Sequence, residues 1–262
     1  MGQVREETIH VEGWAGDPWR VTVRRAGDAP TLWVHGVPTC GEDWVPFLER
    51  FGGVAPDLPG FGASSKRGDG DFTLEGYARF TGALVDTLGF EQVELVVHDW
   101  GAAALAWAAA HPERVSKLVV IDAVPLLGGY RWHRIARIWR TPGLGEVLMG
   151  LTTGWGLRRS LPPGIGSTAA RFLDQGTQRA ILRLYRSASE DVLSGYEASL
   201  EALASVPALV IWGEEDPYIT PNFASRYADA LGGAEVAVLP GAGHWPWIDE
   251  VAVLDAVGRL LR

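Results

Sequence analysis

The sequence predicts a mostly parallel α/β sheet layered with helices and interrupted by a helical insertion. Three observations lead there. From about Thr31 onward, short β-branched runs alternate with helical patterns, as strand–helix–strand units require. Between Val124 and about Ser205 the alternation stops, and helical spacing with Gly and Pro punctuation (GLGE, GWG, LPPGIG) takes over. The 262 residues, 47% of them hydrophobic, suffice for one sizeable core plus such an insertion.

The expected strands are Glu7–Val11, Arg20–Arg24, Thr31–Val34, Gly53–Pro56, Val93–His98, Lys117–Ile121, Ala208–Trp212 and Glu235–Leu239. The expected helices include Leu74–Leu88, Gly101–Ala110, Asn222–Leu231 and Val251–Leu261. In such sheets ligands bind beyond the carboxyl ends of the strands, so chemistry is sought just after each strand.

Bulk properties exclude several function classes. A net charge of −9 argues against nucleic acid as a partner. No uninterrupted run of 18 apolar residues is present, so no transmembrane segment is expected. The N-terminal MGQVREETIH lacks an apolar signal core, and the single Cys40 permits no internal disulfide. A reducing, cytoplasmic setting is therefore expected. Cys40 reads as a bystander thiol. No His/Cys/acid cluster has metal-ligand spacing and no Gly-x-Gly-x-x-Gly follows a strand, so neither metal nor nucleotide cofactor is expected.

The insertion is electrostatically distinct. Residues 124–190 hold ten arginines against Glu146, Asp174 and Glu190, a charge of +7 that leaves −16 for the rest of the chain. Trp132, Ile135, Ala136 and Trp139 share one helical face; Arg131, Arg134, Arg137 and Arg140 lie mostly away from it. The plain reading is an apolar face on a pocket and a solvated basic face. An anionic substrate and an acidic membrane surface are the sharper ones.

Three polar residues fall after strands in an informative order. Asp99 ends the strand in "LVVHDWG", Asp216 follows another in "VIWGEEDPYITP", and His244 follows the last in "LPGAGHWPW". A nucleophile, an acid and a histidine in that order form the arrangement expected at strand ends of this kind. Asp122, after the strand ending at Ile121, is the rival acid.

With "VHGVPT" (Val34–Thr39), "PDLPGFGAS" (Pro56–Ser64) and "VHDWG" (Val97–Gly101), the chain resembles the α/β-hydrolase superfamily over nearly its whole length. The resemblance implies an eight-stranded, mostly parallel sheet. It assigns residues 1–123 and 206–262 to the core and 124–205 to a helical cap. The family's elbow has small residues two before and two after the nucleophile; Gly101 fits and Val97 does not. His35 and His98 read as scaffold, His111 as a helix-end residue and Asp57 as a loop tie.

The elbow tip is Asp99, not serine or cysteine, which excludes an ordinary serine esterase. A carboxylate is already ionised and suits displacement at a saturated carbon bearing a halide or an epoxide oxygen. The resulting ester on Asp99 would be cleaved by water that His244 activates, with Asp216 orienting His244. The backbone N–H groups of Val37 and Trp100 would hold the oxyanion.

Two aspartate-nucleophile families remain close. The elbow is similar to that of haloalkane dehalogenases, where the tryptophan at the position of Trp100 donates its indole N–H to the halide. Val37 stands where many of them place a second donor, asparagine; Trp132, Trp139 or Trp155 could replace it. Epoxide hydrolases share His-Asp-Trp-Gly and tolerate an apolar residue at position 37. They need a phenol to protonate the opening ring. "LRLYRSAS" places Tyr185 before Arg186 as in their caps, and Tyr130 or His133 could serve as second donor. Haloacetate-type enzymes fit less well, since arginines are absent at Trp100 and Ala103. The expectation is an aspartate-nucleophile hydrolase without cofactor. Epoxide hydrolase stands slightly ahead of haloalkane dehalogenase, and a non-catalytic ligand-binding protein on the same fold is the alternative of another class. Trp132, His133, Trp155 and Trp245 would line a pocket for an apolar electrophile and water; homodimer formation is left open.

Overall fold

The computed structural model describes residues 2–16 and 18–262. Eight strands form one sheet: β1 Arg5–Val11, β2 Trp19–Ala26, β3 Thr31–Val34, β4 Gly53–Pro56, β5 Val93–His98, β6 Val115–Ile121, β7 Ala208–Gly213 and β8 Glu235–Leu239. Their order is β1-β2-β4-β3-β5-β6-β7-β8. The β1–β2 and β2–β4 pairs are antiparallel, and every pairing from β4 to β8 is parallel. This is the α/β-hydrolase architecture expected from the sequence. The central strands β3, β4 and β5 are buried almost throughout because helices cover both faces, which is why they read as continuous β-branched runs.

The helices are α1 Val45–Phe51, α2 Leu74–Thr87, α3 Ala103–Ala110, α4 Arg134–Arg140, α5 Leu144–Leu151, α6 Gly154–Ser160, α7 Pro163–Phe172, α8 Gln175–Ser187, α9 Glu190–Ser194, α10 Asn222–Ala230, α11 Pro246–Asp249 and α12 Ala252–Leu261. Thr73 starts α2 by accepting a hydrogen bond from the Gly76 N–H, which satisfies one of the donors a helix start leaves free. The helix expected from Gly101 begins later. A tight 3-10 turn, Asp99–Ala102, comes first, because the chain must reverse sharply at the end of β5.

Helices α4–α9 all fall between β6 and β7. This insertion is tied to the sheet's loops by Lys66 with Asp174 at 2.7 Å. Arg179 and Arg183 donate to the carbonyls of Lys66 and Gly68, and Arg171 pairs with Glu42. No helix among the described residues is long and apolar enough to cross a membrane.

Candidate active site

β5 delivers Asp99 at the carboxyl end of the sheet with φ +49°, a conformation that non-glycine residues hold only under surrounding constraint. Gly101 lies against the Val34 carbonyl, where a Cβ would collide with it. Gly36 lies as closely against the Asp99 carboxylate. Val97, larger than the family pattern prefers, is fully buried within β5.

The Val37 N–H donates to Asp99 Oδ2 at 2.7 Å. His244 Nε2 stands 3.7 Å from Asp99 Oδ1, and its Nδ1–H donates to Asp216 Oδ2 at 2.7 Å. Asp216 Oδ1 in turn accepts from the N–H groups of Tyr218 (2.7 Å) and Ile219 (3.1 Å). The structure therefore brings together the loops after β3, β5, β7 and β8.

Burial would raise both carboxyls, but His244 outweighs it. Asp99 is held below the ordinary carboxylate range, chiefly by the neighbouring imidazole, and Asp216 by the charge and hydrogen bond of the same ring. For His244 burial opposes protonation, and the two carboxylates overcome it, lifting the ring well above its ordinary value. The two carboxylates therefore favour the protonated form of the ring between them.

Asp122 is also close: it, Asp216 and His244 offer side-chain atoms within 4.8 Å of one another. Its Oδ1 accepts from the Gly213 N–H at 3.0 Å, and its Oδ2 has no hydrogen-bond partner. Burial, then the charge of Asp216, push its carboxyl well above the usual range. The His244 Nδ1–H is bonded to Asp216 and not to Asp122, which makes Asp216 the candidate for orienting the ring. Replacing Asp216 with asparagine should therefore keep the fold and slow steady-state turnover by roughly 10³–10⁴-fold, the scale on which triads lose an orienting carboxylate. Near-normal turnover would transfer the role to Asp122.

His98 and His35 are fully buried and do not line the cavity. His98 Nε2–H donates to the His244 carbonyl at 2.7 Å, and burial lowers its pKa to about 3. His35 is lowered to about 4, again by burial, and accepts from the Leu58 N–H at 2.9 Å. Asp57 gathers Arg24 and the N–H groups of Gly41 and Ala63.

A cavity of about 210 Å³ opens over Asp99 and His244. Tyr130, Tyr185, Trp132, His133 and Trp245 line it, as does Trp139. Tyr218 lines it too and was not singled out by sequence. Its signal was there, two residues beyond Asp216, in the loop that holds that carboxylate. Trp155, expected in the pocket, is not in its wall: it lies on α6 with 73% of its surface exposed, because Leu157 takes the inward side of that short helix.

Trp100 is buried behind the wall. Its ring stacks on Trp132 (5.5 Å, 17°) and meets Tyr185 edge-on at 5.0 Å. The indole nitrogens of Trp100 and Trp132 are both sealed from solvent and have no hydrogen-bond acceptor. The phenols behave differently. Tyr130, Tyr185 and Tyr218 all line the cavity, and the Tyr185 phenol stands against the Trp100 indole. Burial and the charge of Asp99 push the Tyr185 phenol well above its ordinary value, against a smaller opposing pull from Trp100.

Comparison with known proteins identifies the family and the fold. The family model described as the alpha/beta hydrolase family matches residues 31–256. A haloalkane dehalogenase of Bradyrhizobium diazoefficiens is 30% identical, over 89% of this chain and 86% of its own. The crystal structure of haloalkane dehalogenase DbeA from Bradyrhizobium elkani superposes with a TM-score of 0.81 at 26% identity, covering 98% of this chain and 96% of that one. The epoxide hydrolase CorEH shares the fold, with a TM-score of 0.77 at 20% identity over 98% of each chain. With a family model across most of its length and an aspartate at the elbow, this chain belongs to the alpha/beta hydrolase family and is a hydrolase of its aspartate-nucleophile branch.

Proposed function

We propose that the protein opens small apolar epoxides through an ester on Asp99, with residues 124–205 acting as the cap. The observation that carries this reading is the set of cavity-facing phenols, Tyr185 and Tyr130, on the same space as Asp99. An epoxide oxygen leaves as a strongly basic alkoxide and gains from a proton donor as the C–O bond breaks.

In the first step an Asp99 oxygen forms a bond to an epoxide carbon, the C–O bond breaks, and Tyr185 passes its proton to the departing oxygen. The phenolate recovers a proton from the His244 imidazolium. Esterification also removes the negative charge of Asp99, one of the influences that raise His244, so the neutral ring becomes accessible. In the second step His244 takes a proton from water as that water attacks the Asp99 carbonyl carbon. The Val37 N–H, already on an Asp99 oxygen, stabilises the oxyanion. Collapse breaks the bond between the Asp99 carbonyl carbon and the ester oxygen; that oxygen takes the remaining water proton from the tetrahedral hydroxyl and leaves with the diol, while the water oxygen stays on Asp99. Asp99 and the imidazolium are restored.

Dehalogenation is the second reading. The adjacent, acceptor-free indole N–H groups of Trp100 and Trp132 favour it, as do the names of the curated relatives. A halide needs hydrogen bonds and no proton. Both nitrogens are buried from solvent and Trp100 is not part of the cavity wall, so a halide would reach them only after the wall rearranges.

Tyr185→Phe and Trp100→Phe separate the two. Single-turnover alkylation of Asp99 is measured with an epoxide and with a bromoalkane. Tyr185→Phe should slow the epoxide reaction by ~10²-fold, the scale of general-acid catalysis, and leave bromide displacement nearly intact. A silent Tyr185→Phe together with loss of bromide release in Trp100→Phe would replace the epoxide reading with the dehalogenase one.

A further inference from the structure

The basic charge of the insertion resolves into two groups of arginines. Arg140, Arg171, Arg179, Arg183 and Arg186 are engaged with carbonyls or carboxylates of the fold. The other five, Arg131, Arg134, Arg137, Arg158 and Arg159, are exposed and make no ion pair or hydrogen bond among the described residues. All five lie on or beside α4 and α6. From residue 131 to 161 the only acid is Glu146, which is held by Arg186.

The same short stretch carries the protein's most exposed apolar side chains. Five large apolar residues among those described are more than half exposed. Four are Leu144, Val147, Leu151 and Trp155, on α5 and α6; the fifth, Val251, is elsewhere. Leu144, Val147 and Leu151 repeat at i, i+3 and i+7, so they form one stripe on α5, opposite the buried Gly145 and Met149. Ile135 on α4 is 44% exposed and at the same time lines the cavity; Leu157 on α6 lines it from the other helix. The apolar and basic residues therefore border the cavity that contains Asp99.

We propose that this face of α4–α6 is a docking surface for anionic phospholipid membranes. Exposed Leu, Val and Trp side chains supply the apolar area that inserts at the headgroup boundary, and unpaired arginines supply attraction to lipid phosphates. The charge distribution supports one orientation. Residues 124–190, which include α4–α6, carry +7 and the remainder of the chain −16, so an anionic surface attracts the α4–α6 face and repels the rest. A second copy of the chain is a poorer occupant, since a twofold contact would set the five unpaired arginines against their own counterparts. Docked this way, the helices that carry Ile135 and Leu157 of the cavity wall face the layer in which apolar substrates concentrate. The surface argument is independent of whether the leaving group is an epoxide oxygen or a halide.

Co-sedimentation of the full chain with vesicles tests it. The wild type should pellet with vesicles containing phosphatidylglycerol and not with pure phosphatidylcholine, and raised salt should release it. Two variants with exposed substitutions are compared: Leu151→Ser with Trp155→Ser, and Arg134, Arg137, Arg158 and Arg159 all changed to Gln. Each arginine near an anionic surface is worth roughly fivefold in affinity, so the quadruple variant should bind at least ~100-fold more weakly. Turnover of a water-soluble substrate should be unchanged in both, which shows that the fold and site are intact. No pelleting of the wild type, equal pelleting on neutral vesicles, or full binding by both variants would overturn the proposal. So would self-association that the variants abolish without any vesicle binding, which would assign the face to a second copy of the chain.

Discussion

His244→Gln should trap the enzyme as an ester on Asp99. Displacement by Asp99 needs an ionised carboxylate and the Tyr185 proton, not a base, and His244 is one of several groups that hold the Asp99 carboxyl down; the His98 ring and the Val37 N–H are the others. Hydrolysis of the ester needs a base, and among the described residues His244 is the one histidine with a ring nitrogen within 4.0 Å of an Asp99 oxygen, while His98 is committed to the His244 carbonyl. Turnover should therefore fall by ~10³-fold or more while the first half-reaction persists, since general-base catalysis alone contributes 10²–10⁴-fold. Mass spectrometry of the Asp99 peptide after incubation with a wild-type substrate should show the adduct. An unmodified peptide would mean that water attacks substrate directly. The pH dependence should separate the same two steps. Asp99 is depressed, so alkylation should continue on acidification to below the ordinary carboxylate range. Ester hydrolysis requires neutral His244 and should slow as pH falls through the ring's value in the esterified enzyme.

Removing Asp57 should produce the largest loss of stability. Arg24 is a buried guanidinium, 5% exposed, whose Nη1 lies 2.5 Å from the fully buried Asp57 Oδ1. The same carboxylate receives the N–H groups of Gly41 and Ala63, so it ties β2 to the loops on either side of β4. Breaking a buried pair by deleting one partner leaves the other charge uncompensated, typically at ~3–5 kcal/mol. Glu42 (3.1 Å) and Glu6 (3.0 Å) still face Arg24, which places Asp57→Ala near the lower end of that range. Urea denaturation should show the midpoint shift. Arg24→Met together with Asp57→Leu should recover much of the loss, because the desolvation penalty is removed with the charges. A single variant as stable as the wild type would contradict this account of the pair.

Most of the framework was legible because buried strands have few alternatives. β3, β4, β5 and β8 fall where the β-branched runs predict them, and β1, β2, β6 and β7 differ only by one to three residues at their ends. Helix α1, seven residues, and α11, four, are too short to display a helical period, so neither was legible. The convergence of Asp99, Asp216 and His244 was legible because strand-end position and residue order carry its signal. The pocket wall was not. Which face of a short insertion helix turns inward depends on its packing against neighbouring helices, and Trp155 shows how apolar character alone misleads there. Trp100 illustrates the same limit: its place in the chain beside Asp99 does not reveal that Tyr185 and Trp132 stand between its indole and the cavity.

One isotope measurement tests the central claim, that Asp99 is the nucleophile, most directly. Enzyme in excess over substrate is allowed a single turnover in heavy-oxygen water. Attack by Asp99 on substrate, followed by attack of water on the ester carbonyl, predicts product that carries ordinary oxygen from the carboxylate. The Asp99 peptide then gains one heavy oxygen. Heavy oxygen in the first-turnover product, with an unlabelled Asp99 peptide, would contradict it.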